Sequence, residues 1–386
     1  MKIIRGTICI LLKKSNNIVY IYMEHKQLYR HILEQVKDSD NHHPEYFKLF
    51  EYLTKINPLP KPKTISESKQ MSSSFKHSQR NFMAKTIFHE IQSLVYKLSE
   101  TFQIGDFIVT IHIFSNKDES FFLNQMKYVI RYILSLFKES TTKSITINYY
   151  LIDEKKMVPE KQTLLNKEHI NSGMCSYKTG KCDIHIWRKE EILKVTIHEL
   201  LHGLHSVVLT DTPKLISMYQ SKYNISSKEI NINETYTEIW ANILNCLLIS
   251  FTFQTNVYQY FTMLLEAEQL FCSYQTNTIK QSTQLGNKLI DINQHTNVLA
   301  YYIIRCELFQ QLPIFLEYCR KYNKNYISIK KEFIKQWQQF FQKQQQTILN
   351  FTEPPVPIRT LRMSINEIDL FKHGYIHHPY SGNEPS

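Results

Sequence analysis

The segment VTIHELLHGLHS, residues 195–206, constrains the fold more than any other stretch of this 386-residue chain. Around it, apolar residues recur every three or four positions, which is the spacing of one face of an α-helix. They are Leu193, Ile197, Leu200, Leu201, Leu204 and Val208. The pattern predicts a helix over residues 189–209 with one face in a hydrophobic core, and it leaves the histidines and the glutamate of the segment on neighbouring faces.

His198 and His202 are four residues apart, so their side chains lie one above the other on a helix. Two imidazoles at this spacing can bind one zinc ion at about 2.0 to 2.1 Å. Glu199 is rotated by about 100° from His198, which makes it a poor ligand but places it beside an open coordination position. We therefore expect His198 and His202 to be metal ligands and Glu199 to be the general base.

His205 continues the face that carries His198 and His202. Three histidines along one helix cannot easily surround a tetrahedral ion. We expect His205 to support a ligand from behind or to line the pocket, and direct coordination or a plain solvent-facing position are the alternatives.

The sequence HELLH, residues 198–202, resembles the HExxH motif of the zincin metallopeptidases. In the metzincin branch the motif extends to HExxHxxGxxH, whereas this chain has His205 and Val208 at the two diagnostic positions. The resemblance is strong over residues 165–245. It implies one Zn²⁺ ion as cofactor and a peptide or protein as substrate.

A second motif, NETYTEIWA at residues 233–241, resembles the helix that supplies the third ligand in the gluzincin branch of the zincins. Asn233, Glu234 and Glu238 match that arrangement, with Glu238 where aspartate is more usual. The two glutamates share a helix face, so one can bind the metal while the other accepts the free ring N–H of a zinc histidine, His198. The resemblance favours Glu234 as the ligand and Glu238 as the orienting residue.

Three alternatives to this assignment stay open. Glu238 can be the ligand instead of Glu234, or Asp211 can be the third ligand, as in the aspzincins. The two glutamates can also be an ordinary solvated pair on a helix surface.

The strand before the helix alternates apolar and polar side chains, as an edge strand does. Its residues are Asp183, Ile184, His185, Ile186 and Trp187. It resembles the zincin edge strand, which binds an extended peptide through backbone hydrogen bonds. An electrophile for the tetrahedral intermediate is also expected. The candidates are Tyr236, His295, Tyr301, Tyr302 and Arg362.

The formal net charge of +11 would suit an anionic partner. The lysines are spread along the chain without a stacking motif, so a nucleic-acid partner is not expected. The seven cysteines are odd in number and have no CxxC spacing, which predicts reduced thiols in an intracellular, cytoplasmic protein. Cys175 and Cys182 flank SYKTGK and can face each other across a hairpin. No apolar run is long enough to predict a membrane span.

The two motifs and the residues between them also resemble uncharacterised zincin-like proteins of large DNA viruses. That likeness implies a cytoplasmic or virion-associated protein. The main rival to a zinc metallopeptidase is therefore a zincin-like module without catalytic activity, which has a structural or interaction role. A basic nucleic-acid-binding protein with an accidental HExxH is the second rival.

The order of elements predicts an α+β fold, in which a zincin-like catalytic domain with a small mixed sheet precedes a mostly helical region. Residues 1–56 are expected to form a hairpin and helices, and residues 57–80, rich in Pro, Ser and Lys, a linker. The metallopeptidase domain is expected over 81–255, a helical subdomain over 256–350 and an irregular tail over 351–386.

Within these regions, periodicity predicts individual elements. The expected helices cover residues 26–39, 44–56, 82–102 and 119–139. The expected strands cover 107–114 and 144–152, and a hairpin covers 173–187.

Overall fold

The computed structural model describes residues 26–36, 43–71, 85–159, 164–204, 209–253, 255–286, 289–344, 352–368 and 370–371. The hairpin expected at the N-terminus and His205 lie outside the described residues. The described part of the chain has an α+β fold with a six-stranded mixed sheet, as the sequence predicts at this level.

Twelve α-helices form in the described residues. They are α1 (Lys26–Val36), α2 (Pro44–Thr54), α3 (Lys85–Gln92), α4 (Ser120–Leu136), α5 (Lys167–Ile170), α6 (Ile192–Gly203), α7 (Pro213–Tyr223), α8 (Ile232–Ser250), α9 (Val257–Thr283), α10 (Arg305–Gln310), α11 (Leu312–Tyr322) and α12 (Ile334–Gln344). A π-helix, Leu299–Ile304, leads into α10, and a 3₁₀-helix, Lys331–Phe333, leads into α12. None of the described helices is long and apolar enough to cross a membrane.

The strands form one large sheet and a small two-stranded ladder. They are β1 (Lys63–Met71), β2 (Tyr96–Ile104), β3 (Phe107–Ser115), β4 (Ser144–Tyr150), β5 (Gly173–Lys178), β6 (Lys181–Ile186), β7 (Asn323–Lys324) and β8 (Ser328–Ile329). The large sheet has the order β1-β2-β3-β4-β6-β5. Its central pairs β3/β4 and β4/β6 are parallel, and the outer pairs are antiparallel.

The two faces of the sheet differ in polarity because side chains alternate along each strand. Val109, Ile111, Ile147 and Ile184 point to one side and are fully buried in the main hydrophobic core. The helix α6 packs on this apolar face against β5 and β6. The sheet therefore fixes the helix that carries the HELLH motif.

The predicted linker at residues 57–80 is wrong for its central part, because residues 63–71 form β1. This strand pairs antiparallel with β2, and all nine of its residues are exposed. An edge strand without a buried face needs no alternation of apolar side chains. Its polar composition therefore resembles that of a loop.

The single helix predicted at residues 82–102 is also wrong, because α3 ends at Gln92 and β2 begins at Tyr96. Leu94, Leu98 and Phe102 are four apart and fit a helix, but in β2 the buried positions alternate in steps of two. One of these buried positions is Glu100, which binds Lys127 Nζ at 2.5 Å. Because this charged residue lies on the inner face, the apolar residues of β2 do not alternate regularly in the sequence.

The edge position predicted for residues 183–187 is wrong as well. β6 is an interior strand that pairs with β4 on one side and with β5 on the other, so β5 is the edge. The alternation in β6 arises because Asp183 and His185 lie on the polar face of the sheet. There Asn148 donates a hydrogen bond to Asp183 at 2.8 Å, and Tyr150 Oη lies 3.1 Å from His185 Nδ1.

Residues 352–368, within the tail expected to be irregular, contain no helix and only an isolated bridge at Thr360. This segment is nevertheless part of the core, and Leu361 and Met363 are buried. The backbone N–H groups of Met363 and Ser364 donate to the buried Glu191 at 2.7 and 2.6 Å. The helices predicted at 44–56 and 119–139, the strands at 107–114 and 144–152 and the hairpin at 173–187 are confirmed within a few residues at their ends. The helices predicted at 26–39 and 189–209 are confirmed over Lys26–Val36 and Ile192–Gly203.

Candidate metal centre

The helix α6 carries both histidines of the HELLH motif, and His202 is its one residue that is not buried. It begins after Glu191, whose φ is 58°, and ends at Gly203. A Cβ atom at Gly203 would lie 2.7 Å from Cys182 Sγ on β6. Only glycine allows the last turn of the helix, and with it His202, to lie this close to the sheet.

The helix α8 carries Glu234 near its start, and Asp211 fixes that start. The Asp211 carboxylate accepts hydrogen bonds from the backbone N–H groups of Ile230, Asn231 and Ile232 at 2.7, 2.9 and 3.2 Å. Both of its oxygens are used in this way. The structure therefore places Asp211 as a cap of α8, which disfavours the alternative of a third metal ligand.

Three candidate ligand atoms converge where α6 and α8 meet. His198 Nε2 lies 3.1 Å from His202 Nε2, and Glu234 Oε2 lies 3.4 and 3.3 Å from these two nitrogens. Donor atoms about 2.0 to 2.1 Å from a tetrahedral ion are about 3.3 Å from one another. The two imidazole nitrogens and the carboxylate oxygen are therefore spaced so that they could hold one metal ion.

Glu238 lies on the opposite side of His198 from Glu234. Its Oε2 is 2.9 Å from His198 Nδ1, so the two nitrogens of this imidazole face two different carboxylates. Its Oε1 contacts Lys194 Nζ and lies 3.6 Å from the Arg305 guanidinium. All three contacts are ion pairs, and their angles do not meet the criteria for hydrogen bonds. The structure thus separates Glu238 from the three candidate ligand atoms.

The carboxylates shift the protonation of the imidazole between them. Burial alone would lower the pKa of His198, but Glu234 and Glu238 raise it to about 9. Burial alone would raise the pKa of Glu234, but His202 and His198 hold it well below its usual range. The contacts of His198 with the two glutamates, and of Glu234 with the two histidines, therefore favour the charged forms of His198 and Glu234.

Glu199 is buried beside the histidines, and burial raises the pKa of its carboxyl group despite His198 and His202 nearby. It lines a pocket of about 30 Å³ together with His198, Tyr301 and Lys194. That volume is large enough for one water molecule. A Cβ atom at Gly173, the first residue of β5, would lie 2.6 Å from Glu199 Oε1. The edge strand therefore passes directly beside this carboxylate.

Tyr301 is the predicted electrophile candidate that the structure brings to the site. Its hydroxyl donates a hydrogen bond to Glu234 Oε2 at 3.1 Å, and its ring centre lies 6.2 Å from that of His198. It lies on the π-helix, a conformation that often marks functional positions. Burial, followed by the charge of Glu234, raises the pKa of Tyr301 well above its usual value.

The other four electrophile candidates have different surroundings. Tyr236 and Tyr302 donate to the backbone oxygens of Ile327 and Leu361, and Arg362 pairs with Glu367. His295 is exposed. None of these four lines the pocket beside Glu199.

Sequence reasoning missed Gly173, Lys194 and Arg305. Lys194 stands between Leu193 and Val195, and Arg305 stands between Ile304 and Cys306. Each basic residue interrupts an apolar run, and a charge at such a position is rarely buried unless it is paired. No pattern in the sequence could show that Arg305 lies next to Glu238, since the two residues are far apart in the chain and on different helices.

No protein-family model and no solved structure matches this chain. The chain is similar to an uncharacterized protein of Acanthamoeba polyphaga mimivirus, with 23% identity over 227 residues. The match covers 53% of this chain and 56% of the relative, so the chain spans about half the length of the curated relative that it matches. The name of this relative states no activity.

Proposed function

We propose that this protein is a zinc-dependent metallopeptidase of the zincin type, with His198, His202 and Glu234 as metal ligands. The observation that carries the proposal is the convergence of these three side chains from two buried helices, with the Glu199 carboxylate beside them. The zinc ion, when bound, supplies a Lewis acid that acidifies water and polarises a carbonyl group.

Glu199 is the general base of the proposed reaction. Its carboxylate takes a proton from the attacking water and passes it to the leaving amine, which is the role of a carboxylate beside two ligating histidines. The contact with Gly173 supports this role because the backbone of β5 limits where the carboxylate can point.

Tyr301 is the proposed hydrogen-bond donor to the oxygen of the attacked carbonyl. Its hydroxyl already lies at Glu234 Oε2 and is therefore at the edge of the ligand triangle. A donor fixed at this place can stabilise negative charge that develops in the transition state.

The substrate class follows from the edge of the sheet. We propose that an extended peptide pairs with the free side of β5, the strand that starts at the Glu199 carboxylate. An exposed edge offers unpaired backbone groups to such a peptide. This assignment replaces the interior strand β6 as the peptide-binding strand.

The test measures bound zinc and the cleavage of a peptide pool for the wild type and three variants. We expect one zinc per wild-type chain, loss of zinc in His202→Ala, and retained zinc with a rate loss of about 10² to 10⁴ in Glu199→Gln. His89→Ala removes an exposed histidine of α3 and should behave as the wild type.

Three outcomes would count against the proposal. A wild type without zinc means that the site is not a metal centre. A Glu199→Gln variant that cleaves at the wild-type rate means that the assigned base is wrong. A wild type that binds zinc and cleaves no peptide favours the rival reading of a zincin-like module without catalytic activity.

A further inference from the structure

The two carboxylate oxygens of Glu238 contact different groups. Oε2 faces His198 Nδ1 at 2.9 Å, and Oε1 faces the Lys194 ammonium and the Arg305 guanidinium. If the carboxylate were held only through Oε2, it could rotate and turn either oxygen toward the imidazole, or turn both away. The contacts at Oε1 remove this freedom, so the orientation of the His198 ring depends on them.

Lys194 occupies a place where a lysine is unfavourable for the helix itself. It is the third residue of α6, and the N-terminal end of a helix carries a partial positive charge that repels cations. The residue is only 3% exposed, so water does not solvate its charge. Its main compensation is the ion pair with Glu238, which is fully buried.

We propose that Lys194 is a positioning residue of the metal centre, an inference that rests on the proposed function. Lys194 holds Glu238 Oε1, Glu238 Oε2 then holds His198 Nδ1, and His198 Nε2 is thereby turned toward His202 and Glu234. The three side chains form one relay from the first turn of α6 to the candidate ligand triangle.

The C-terminal segment contacts both Lys194 and Arg305, the two basic residues at Glu238 Oε1. Met363 Sδ accepts a hydrogen bond from Lys194 Nζ at 3.5 Å, and the Met363 carbonyl accepts hydrogen bonds from Asn242 at 2.9 Å and from Arg305. Met363 also lines the pocket beside Glu199. The irregular tail thus supports a site whose candidate ligands come from α6 and α8.

The closing experiment measures the dissociation constant of Zn²⁺ alone, by competition with a chromophoric chelator, for full-length variants. Lys194→Met keeps the length of the side chain and removes its charge. We expect it to weaken zinc binding by about tenfold to a hundredfold, which is the usual effect of losing a residue that orients a ligand. The absorption spectrum of the Co²⁺-loaded protein should change as well, because His198 is no longer held in one orientation.

Two controls separate positioning from general destabilisation. Lys127→Met breaks the partly buried Lys127–Glu100 pair, which joins α4 to β2, and should leave zinc affinity and the Co²⁺ spectrum unchanged. The double variant Lys194→Met/Glu238→Gln should bind zinc no more weakly than Glu238→Gln alone, because Lys194 acts through Glu238. Lys194→Gln replaces Lys194→Met if the latter does not fold.

The inference is overturned if the wild type binds zinc and the Lys194 variant binds it within twofold of the wild-type affinity. It is also overturned if the losses of Lys194→Met and Glu238→Gln simply add in the double variant. A wild type that binds no zinc overturns the proposed function itself, so the two failures are distinct.

Discussion

Glu234 and Glu238 are the same residue type one turn apart on α8, yet their surroundings differ. The Glu234 side chain is 23% exposed and faces His198, His202 and the Tyr301 hydroxyl. The Glu238 side chain is fully buried and faces Lys194, Arg305 and the other nitrogen of His198. Position along one helix face therefore separates a carboxylate that is partly exposed from a carboxylate that is fully buried.

The causes of their ionisation also differ. Burial opposes ionisation of both, but histidines hold the pKa of Glu234 down, whereas Lys194 is the main cause that lowers the pKa of Glu238. Lys194 and Arg305 are the two basic residues at Glu238 Oε1. Removal of Glu238 would leave both of them without this partner in the core, whereas removal of Glu234 would take a partly exposed carboxylate away from two imidazoles.

The largest expected effect is on stability in Glu238→Ala. Breaking a buried ion pair on one side leaves uncompensated charge and costs about 3 to 5 kcal/mol. Urea denaturation of the metal-free protein measures this loss as a change in the free energy of unfolding. A loss below about 1 kcal/mol would mean that Glu238 is not the partner that compensates Lys194 and Arg305.

In Glu234→Ala, zinc affinity should change more than the free energy of unfolding does. This variant removes a ligand, so zinc affinity should fall by more than the factor of about a hundred that loss of an orienting residue can cause. The free energy of unfolding of the metal-free protein should change by less than about 1 kcal/mol, because the side chain is partly solvated. Chelator competition and urea denaturation on the same preparation test both statements. Equal profiles for the two glutamate variants would remove the distinction between them.

The sequence predicted the part of this comparison that depends on spacing within one helix. His198 and His202, and Glu234 and Glu238, are each four apart, and a period of 3.6 residues forces both pairs onto one face. The structure places His198, His202 and Glu234 together and Glu238 behind His198. Local periodicity was sufficient because each pair lies within one regular element.

The sequence could not predict what depends on contacts between distant elements. Strand order decides which strand is the edge, and the alternation in β6 is the same for an interior strand with one polar face. Arg305 and Met363 reach the site from the helical region and the tail, which periodicity placed outside the catalytic domain. Such contacts are set by packing of the whole core, which no local pattern encodes.

Asp211→Ala tests whether the cap at the start of α8 supports Glu234, which lies closer to this end of the helix than Glu238 does. The variant leaves three backbone N–H groups without their acceptor, and loss of such a cap costs about 1 to 2 kcal/mol of unfolding free energy. Zinc affinity should fall less than tenfold, since Glu234 keeps both histidine contacts. Asp211→Asn, which retains one acceptor oxygen, is the matched control and should lose less stability. Complete loss of zinc in Asp211→Ala would instead favour Asp211 as a ligand.

Tyr301→Phe is expected to have the smallest effect on the metal centre. It removes one hydrogen bond to Glu234 Oε2, worth about 0.5 to 1.5 kcal/mol, and keeps the ring beside His198. Because the two histidines still hold Glu234, zinc affinity should stay within about threefold of the wild-type value, while peptide cleavage should fall if the hydroxyl serves the attacked carbonyl. Measuring both quantities on one variant separates the two roles. A loss of zinc affinity as large as that of Glu234→Ala would show that Tyr301, and not the histidine pair, keeps Glu234 in place.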